Sequence, residues 1–229
     1  MSEITEKKGE VPKPILVWDL PTRLFHWCLA LLIGLSWLTG EMGEMEWHMR
    51  SGIAILTLVL FRLLWGLLGS TTARFSSFVA SPMTAITYGR GLLTGKTDRY
   101  LGHNPLGGWM VVALLSIVLV QASTGLFAND DIFTEGPLYH LVTKSTSDWL
   151  TWFHKTLFNF LLAAAALHIA AAFFYLLVKK EDLILPMIHG RKQAGEGEDK
   201  PHLVLRHPLL GLLTLAAAGA AVWAVLTFV

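Results

Sequence analysis

The sequence predicts an all-α integral membrane protein: a four-helix transmembrane bundle with a fifth, C-terminal transmembrane helix. Of the 229 residues, 53% are hydrophobic and only 15% are charged, whereas soluble domains carry about 25% charged residues. The apolar residues gather in five segments, each near the roughly 20 residues that a helix needs to cross a bilayer. No segment shows the strict alternation that strands of a membrane β-barrel need.

These segments define the expected domain organisation. They run over residues 25–39, 48–68, 106–127, 152–178 and 208–229. We expect a cytoplasmic polar tail at 1–14, a four-helix membrane domain at 15–192, a polar linker at 193–205 and the additional helix at 206–229. No small-residue cleavage site follows the first apolar run, which therefore indicates a retained anchor and not a signal peptide.

Basic residues predict the orientation. Residues 1–14, 70–105 and 179–206 hold most of the lysines and arginines, whereas residues 40–47 and 128–151 are acidic. By the positive-inside rule, the N-terminus is cytoplasmic and the fifth helix ends outside. The formal net charge of +1 argues against a nucleic-acid partner, because such a protein needs a basic surface.

Four histidines fall at two depths in this topology. His154 and His168 are 14 residues apart on one helix, which places them on one face and about 21 Å apart. His26 begins the first helix at the inner surface, and His48 begins the second at the outer surface. The depths therefore match in two pairs, His26 with His168 and His48 with His154.

Placing an ionisable side chain inside a membrane costs free energy, so such a residue indicates a functional role. Each histidine pair can supply two axial nitrogens to a haem iron between helices. Zinc usually needs four ligands, or three with an open position, and no cysteine or carboxylate accompanies either pair. A single buried histidine is more often a packing residue, but four in two matched pairs favour ligation.

Arg62 and Gly52 are further candidates for contact with haem. Arg62 follows His48 by 14 residues, so a propionate of the inner haem would serve as its anionic partner; the alternative is that it snorkels to the cytoplasmic surface. Gly52, one turn from His48, suits a flat macrocycle, although glycine is also common where membrane helices pack. Gln121 could touch a haem or a quinone, but an interhelical hydrogen bond is its more frequent role.

The other histidines are weaker candidates. We expect solvated side chains for those in or beside the cytoplasmic segments, His103, His189, His202 and His207. His140 lies in an outer loop, at the wrong depth to match His48.

Several motifs carry a resemblance to a known family. They are V-W-D-L-P-T-R-L-F-H-W (17–27), H-x-x-x-G in the second helix with the later Arg62, G-P-L-x-H-L-V (136–142), and F-H-K…L-H-I (153–169). Together they resemble the bacterial cytochrome b561 / nickel–iron hydrogenase b-type cytochrome family, the membrane di-haem cytochromes b, over roughly residues 15–192.

The resemblance implies two haem b groups with bis-histidine ligation by His26, His48, His154 and His168. It also implies the cell inner membrane, exchange of electrons with membrane quinones, and a partner redox protein. Because both axial positions of each iron would be filled, electron transfer is favoured over chemistry on an iron-bound ligand, and the sequence identifies no catalytic residue. Whether the chain is itself an enzyme and whether it forms a homo-oligomer stay open.

Two end uses fit these expectations. We prefer respiratory-chain electron transport between the quinone pool and an extracytoplasmic partner, a periplasmic c-type cytochrome or a hydrogenase. The alternative is a superoxide oxidase that passes electrons from superoxide to quinone. A basic outer funnel would favour the oxidase, because an anion must be attracted. The outer loops are acidic apart from Arg50, Lys144 and Lys155, which favours the first function.

Overall fold

The computed structural model describes residues 14–95, 97–193 and 203–229. Outside these residues lie most of the predicted polar tail (1–14), most of the linker (193–205) and His202. The predicted domain boundaries stay predictions. In the described part of the chain the helices and strands are, in order, β1 (Pro14–Leu16), α1 (Leu20–Glu41), α2 (Met45–Leu68), α3 (Phe75–Phe78), α4 (Pro82–Leu93), α5 (Pro105–Gly125), α6 (Lys144–Leu177), α7 (Ile184–His189), β2 (Arg191–Gln193) and α8 (Pro208–Phe228).

Five helices, α1, α2, α5, α6 and α8, are long and apolar enough to cross a membrane. The predicted all-α membrane bundle is therefore confirmed. Two of them begin five or more residues earlier than predicted: α1 starts at Leu20 and not at residue 25, and α6 starts at Lys144 and not at residue 152. Hydropathy detects the apolar part of a helix, whereas the helix itself begins at its capping residue.

Polar caps fix where the membrane helices start. The side chains of Asp19, Asn104 and Thr143 each accept a hydrogen bond from the backbone N–H three residues further on, at 2.8, 2.8 and 3.3 Å. Each bond satisfies a backbone donor that has no partner inside the helix. Proline occupies one of the first two helical positions in α1, α5 and α8, where its missing N–H removes no helical hydrogen bond.

The core lies along α2, which packs against α1, α5 and α8. Trp65 and Val59 of α2 are fully buried. Gly211 of α8 lies close to Trp65 and to Pro21, and a Cβ at this position would approach Pro21 Cγ to 2.7 Å. Large apolar side chains elsewhere, such as Leu31 at 73% exposure, cover the outside of the bundle, as expected where lipid is the solvent.

A short antiparallel strand pair joins the two ends of the predicted membrane domain. β1 pairs with β2, with Pro14 opposite Gln193 and Leu16 opposite Arg191. The carbonyl of Gly190 then accepts hydrogen bonds from the next two backbone N–H groups after β1, at 2.8 and 3.0 Å. Gly190 has φ +85°, and a Cβ there would lie 2.7 Å from Trp18 O, so both its conformation and the close approach of the backbone require glycine.

Candidate haem sites

The four predicted histidines meet in two pairs. The imidazole centroids of His26 and His168 are 6.2 Å apart, and those of His48 and His154 are 6.1 Å apart. A metal between two imidazoles holds their centroids roughly 6 Å apart, because the metal–nitrogen bond is about 2 Å and the ring centre lies about 1 Å beyond the nitrogen. Helix α6 supplies one histidine to each pair, so the pairs are separated by about 21 Å along its axis.

After their predicted depths, His26 with His168 is named the inner pair and His48 with His154 the outer pair. Backbone carbonyls orient both rings of the outer pair. His48 Nδ1 lies 2.8 Å from Ser36 O on α1, and His154 Nδ1 lies 2.9 Å from Gln121 O on α5. Nδ1 donates in each bond, which leaves Nε2 as the nitrogen that can bind a metal. The Gln121 side chain makes an interhelical hydrogen bond here, with its Nε2 3.2 Å from His154 Nε2. This bond occupies the nitrogen that would bind the metal, so the Gln121 amide would have to turn away for His154 to become a ligand.

Glycines make room for the two outer rings. A Cβ at Gly40 would lie 3.0 Å from His48 Nδ1, and a Cβ at Gly125 would lie 3.0 Å from His154 Cε1. Gly52 is different, because a Cβ there would have no atom within 4 Å. The face of α2 at Gly52 therefore borders open space one turn from His48, which suits the flat ring predicted there.

Arg62 lies buried on the inner half of α2. It is 2% exposed, and its guanidinium carbon lies 5.0 Å from the centre of the Phe75 ring and 5.9 Å from that of Phe78. Its Nη1 has no hydrogen-bond partner among the described residues. The side chain therefore does not extend to the surface as a snorkelling arginine would. The buried carboxylate of Asp19 acts on this charge electrostatically, but no salt bridge joins the two side chains among the described residues. Nη1 therefore stays open to a further anionic partner.

His103 belongs to the same region, and the expectation that it is solvated is wrong. Its ring packs against Trp18 and Phe78 at centroid distances of 4.7 and 4.6 Å. Its Nδ1 is enclosed and has no partner among the described residues. Burial, and to a smaller extent the positive charge of Arg62, lowers the pKa of His103 to about 3. Only tertiary packing encloses this residue, and the local H-N-P sequence before α5 carries no sign of it.

Comparison with protein families matches residues 17–190 to the prokaryotic cytochrome b561 family. The chain belongs to that family. Membership in the cytochrome b561 family supports b-type haem binding and a role in electron transfer within a membrane. The match ends at α7 and leaves α8 outside it. No curated protein matches the chain.

The residues of this cytochrome b561 fit the haem that the family binds. No group of three or more His, Cys, Asp or Glu that could hold a metal ion occurs among the described residues. Two imidazoles suffice for haem, since the macrocycle supplies the other iron ligands. His26 Nδ1 is buried without a hydrogen-bond partner in the described part of the chain. The same holds for Arg62 Nη1 and His103 Nδ1, so three buried nitrogen atoms of the inner region have no hydrogen-bond partner there.

The remaining histidines do not join either pair. His140 lies in a 3₁₀ turn, with its Nε2 3.4 Å from Val229 O at the end of α8. The Nδ1 atoms of His189 and His207 accept hydrogen bonds from the backbone N–H of Arg191 and Leu209, at 3.0 and 3.2 Å. These two side chains therefore stabilise chain turns at the ends of α7 and α8.

Proposed function

We propose that the chain holds two haem b groups, one between His26 and His168 and one between His48 and His154, and that it carries electrons between the membrane quinone pool and an extracytoplasmic redox partner. A c-type cytochrome and a hydrogenase are the partners of suitable chemistry. The observation that carries the proposal is the presence of two imidazole pairs with metal-binding spacing at two levels of α6, which are 14 residues apart. Bound haem b supplies reversible one-electron transfer at its iron.

The protein determines how the two sites differ. In the outer pair, the bonds from Nδ1 to the carbonyls of Ser36 and Gln121 fix the ring orientation and raise the basicity of Nε2. In the inner pair, Arg62 supplies a buried positive charge that would bind a propionate. Because each pair would supply two nitrogen ligands to its haem, the bound group would serve electron transfer and offer no free iron position to a substrate.

The proposed orientation is that of a multi-pass protein of the bacterial inner membrane, with the N-terminus cytoplasmic and the C-terminus periplasmic. The described parts of the basic segments lie at the end of the bundle where α1 begins and α6 ends, and the acidic loops lie at the other end. The positive-inside rule places the basic end in the cytoplasm. His48 and His154 then lie at the periplasmic side, where the partner would exchange electrons.

The outer loop between α5 and α6 has the features of a docking surface. Ile132 and Phe133 are 74% and 96% exposed, directly after Asp130 and Asp131. Asp130 accepts hydrogen bonds from backbone N–H groups, and the bond from Thr134 has the largest effect. These bonds hold the pKa of Asp130 well below its usual range, so this carboxylate stays ionised. An apolar centre with a charged rim is typical of protein interfaces, and acidic groups would steer a partner with a basic face.

The superoxide oxidase is the second candidate, and Lys155 is the observation that favours it. Lys155 follows His154 and has no salt bridge among the described residues. The other two outer cations are neutralised, however: Arg50 pairs with Glu46, and Lys144 pairs with Asp131 and with Asp148. A funnel that attracts an anion needs an excess of positive charge, so the partner-linked function is favoured.

Counting haems in ligand variants tests the proposed sites. Purified protein should give a pyridine haemochrome ratio near two haems per chain. His26→Ala and His168→Ala should each lose one haem, and His48→Ala and His154→Ala should each lose the other, as seen in the low-spin electron paramagnetic resonance signals. His140→Ala is the matched control and should keep both. Full haem content in any of the four ligand variants would overturn the assignment.

A triple neutralisation separates the two functions. Glu41, Glu44 and Glu46 lie at the outer turn between α1 and α2. Changing all three to glutamine should slow electron transfer to a basic c-type cytochrome, and added salt should slow the wild type, since screening weakens attraction between charges. Both haem spectra should stay intact. A rapid superoxide consumption by the wild type that rises in the triple variant would favour the oxidase instead.

A further inference from the structure

A pocket of about 820 Å³ lies at the membrane boundary, where β1 and β2 meet the end of α6 and the chain before α5. Its walls come from segments that are far apart in sequence but joined by the strand pair. Five basic side chains contribute to the lining, and only two carboxylates do. The basic residues are Arg23, Arg99, Lys180, Arg191 and Lys192.

The two carboxylates have partners and do not neutralise the whole pocket. Glu181 pairs with Lys192 at 2.6 Å, and both side chains are largely enclosed, at 16% and 14% exposure. Lys192 Nζ also donates to Tyr100 O at 2.6 Å. Asp182 accepts hydrogen bonds from the backbone N–H groups at the start of α7, at 2.8 and 3.1 Å. The Glu181–Lys192 pair therefore organises the wall, and an excess of positive charge remains.

The remaining cations are available to a ligand. Arg99, Lys180 and Arg191 are exposed, and none of them forms a salt bridge within the described residues. Arg23 donates from Nη1 to Ile188 O, at 2.5 Å, while its buried Nε has no partner in the described part of the chain. An unsatisfied buried donor beside uncompensated charge indicates an anion.

The apolar part of the pocket narrows the class of anion. Leu16 and Leu185 also line the pocket and are 37% and 52% exposed. The pocket lies just beyond Leu20, the first residue of α1, and Leu177, the last of α6, which is the depth of lipid headgroups if these helices span the bilayer. A soluble phosphate compound would make no apolar contact with these leucines, whereas a phospholipid has both a phosphate for the cations and acyl chains for the leucines.

We propose that this pocket binds the headgroup of an anionic glycerophospholipid. Arg99 and Arg191 contact the phosphate, and Leu16 and Leu185 contact the first part of the acyl chains. Basic pockets at the membrane surface are suited to such headgroups. Because β1, β2 and α7 all border the pocket, the bound lipid stabilises the junction that joins the two ends of the membrane domain.

Native mass spectrometry of the purified holoprotein in detergent tests this proposal. The protein is titrated with phosphatidylglycerol, with phosphatidylcholine and, in a separate arm, with inorganic phosphate. The test variant is Arg99→Gln with Arg191→Gln. The matched control is Arg90→Gln with Arg206→Gln, which removes two exposed arginines that do not line the pocket. Haem absorbance is recorded for each protein, so a failure of the haem assignment is seen separately from a failure of lipid binding.

The wild type and the control should retain phosphatidylglycerol in preference to phosphatidylcholine. The test variant should bind phosphatidylglycerol roughly 30-fold more weakly, since each basic side chain near an anionic surface contributes about a fivefold factor. Equal retention by the test variant and the control would overturn the proposal. Displacement of phosphatidylglycerol by inorganic phosphate alone would also overturn it, because the pocket would then be a simple anion site.

Discussion

Gly40 contacts the imidazole of His48, and a valine at this position should displace the outer ligand. A Cβ there would lie 3.0 Å from His48 Nδ1, where ordinary van der Waals contacts begin at 3.4 Å. The two γ-methyl groups of valine require still more room. The imidazole must therefore retreat by at least a few tenths of an ångström, away from its position 2.8 Å from Ser36 O.

The cost follows from that hydrogen bond. Loss of a partner that orients a metal-binding histidine usually weakens metal affinity about 10- to 100-fold, or about 1.4–2.7 kcal/mol. Gly34→Val is the matched control, because Gly34 lies on the same helix and a Cβ there has no atom within 4 Å. Both variants add the same side chain to α1, so their helix-propensity and lipid-contact effects largely cancel in the comparison.

Haem titration of each variant, followed by optical and electron paramagnetic resonance spectra, gives the outcome. Gly40→Val should bind one haem at least about tenfold more weakly, with the low-spin signal of the other haem unchanged. The retained haem reports that the bundle has folded. Gly34→Val should match the wild type in both sites. Two haems of unaltered affinity and spectrum in Gly40→Val would refute the placement of His48 as an axial ligand.

Three further predictions follow from buried or hydrogen-bonded polar groups. Arg62→Gln should lower the midpoint potential of the inner haem by an amount on the order of tens of millivolts, because a nearby positive charge favours the reduced form. A redox titration that finds both potentials unchanged would contradict the proposed propionate contact. Trp65→Phe should destabilise the fold by about 1–3 kcal/mol, seen as earlier thermal loss of haem, because Asp19 loses the buried indole N–H at 3.1 Å. Hydrogen bonds lower the pKa of Asp130, so the stability that its carboxylate gives the loop is present above the unfolded pKa of about 4 and is lost only as the pH falls through the folded pKa. Asp130→Ala should therefore speed hydrogen exchange at residues 132–134 at about pH 6. Exchange equal to that of the wild type would show that the carboxylate does not order the loop.

The bundle and the pairing of the four histidines by depth could be predicted because their signals are local, while the role of these histidines as haem ligands stays a prediction. Hydropathy marks a membrane helix within about 20 residues, and the 14-residue spacing of His154 and His168 sets their relative depth by helix geometry alone. The structure brings each of them to the partner expected from depth. The polar start of α6 at Lys144 was missed, since hydropathy does not detect helical turns that lie before the apolar part.

The inner region could not be predicted in the same way. His103 precedes α5 in a polar loop, and only the packing of Trp18 and Phe78 around it encloses its Nδ1. The strand pair and α4 likewise have no strong hydropathy signal, because each is short and lies at the membrane boundary. The snorkelling alternative for Arg62 could be set aside only when the short helix α3, with Phe75, was seen to cover its guanidinium.

The pairing of β1 with β2 makes the membrane domain suitable for circular permutation. The family match runs over residues 17–190, and the strands that flank it hold its two ends side by side. A unit whose ends are adjacent tolerates circular permutation and the insertion of other domains. The membrane domain could therefore be opened at an outer turn and its original ends joined through the strand pair, provided that α8 keeps its place against α2.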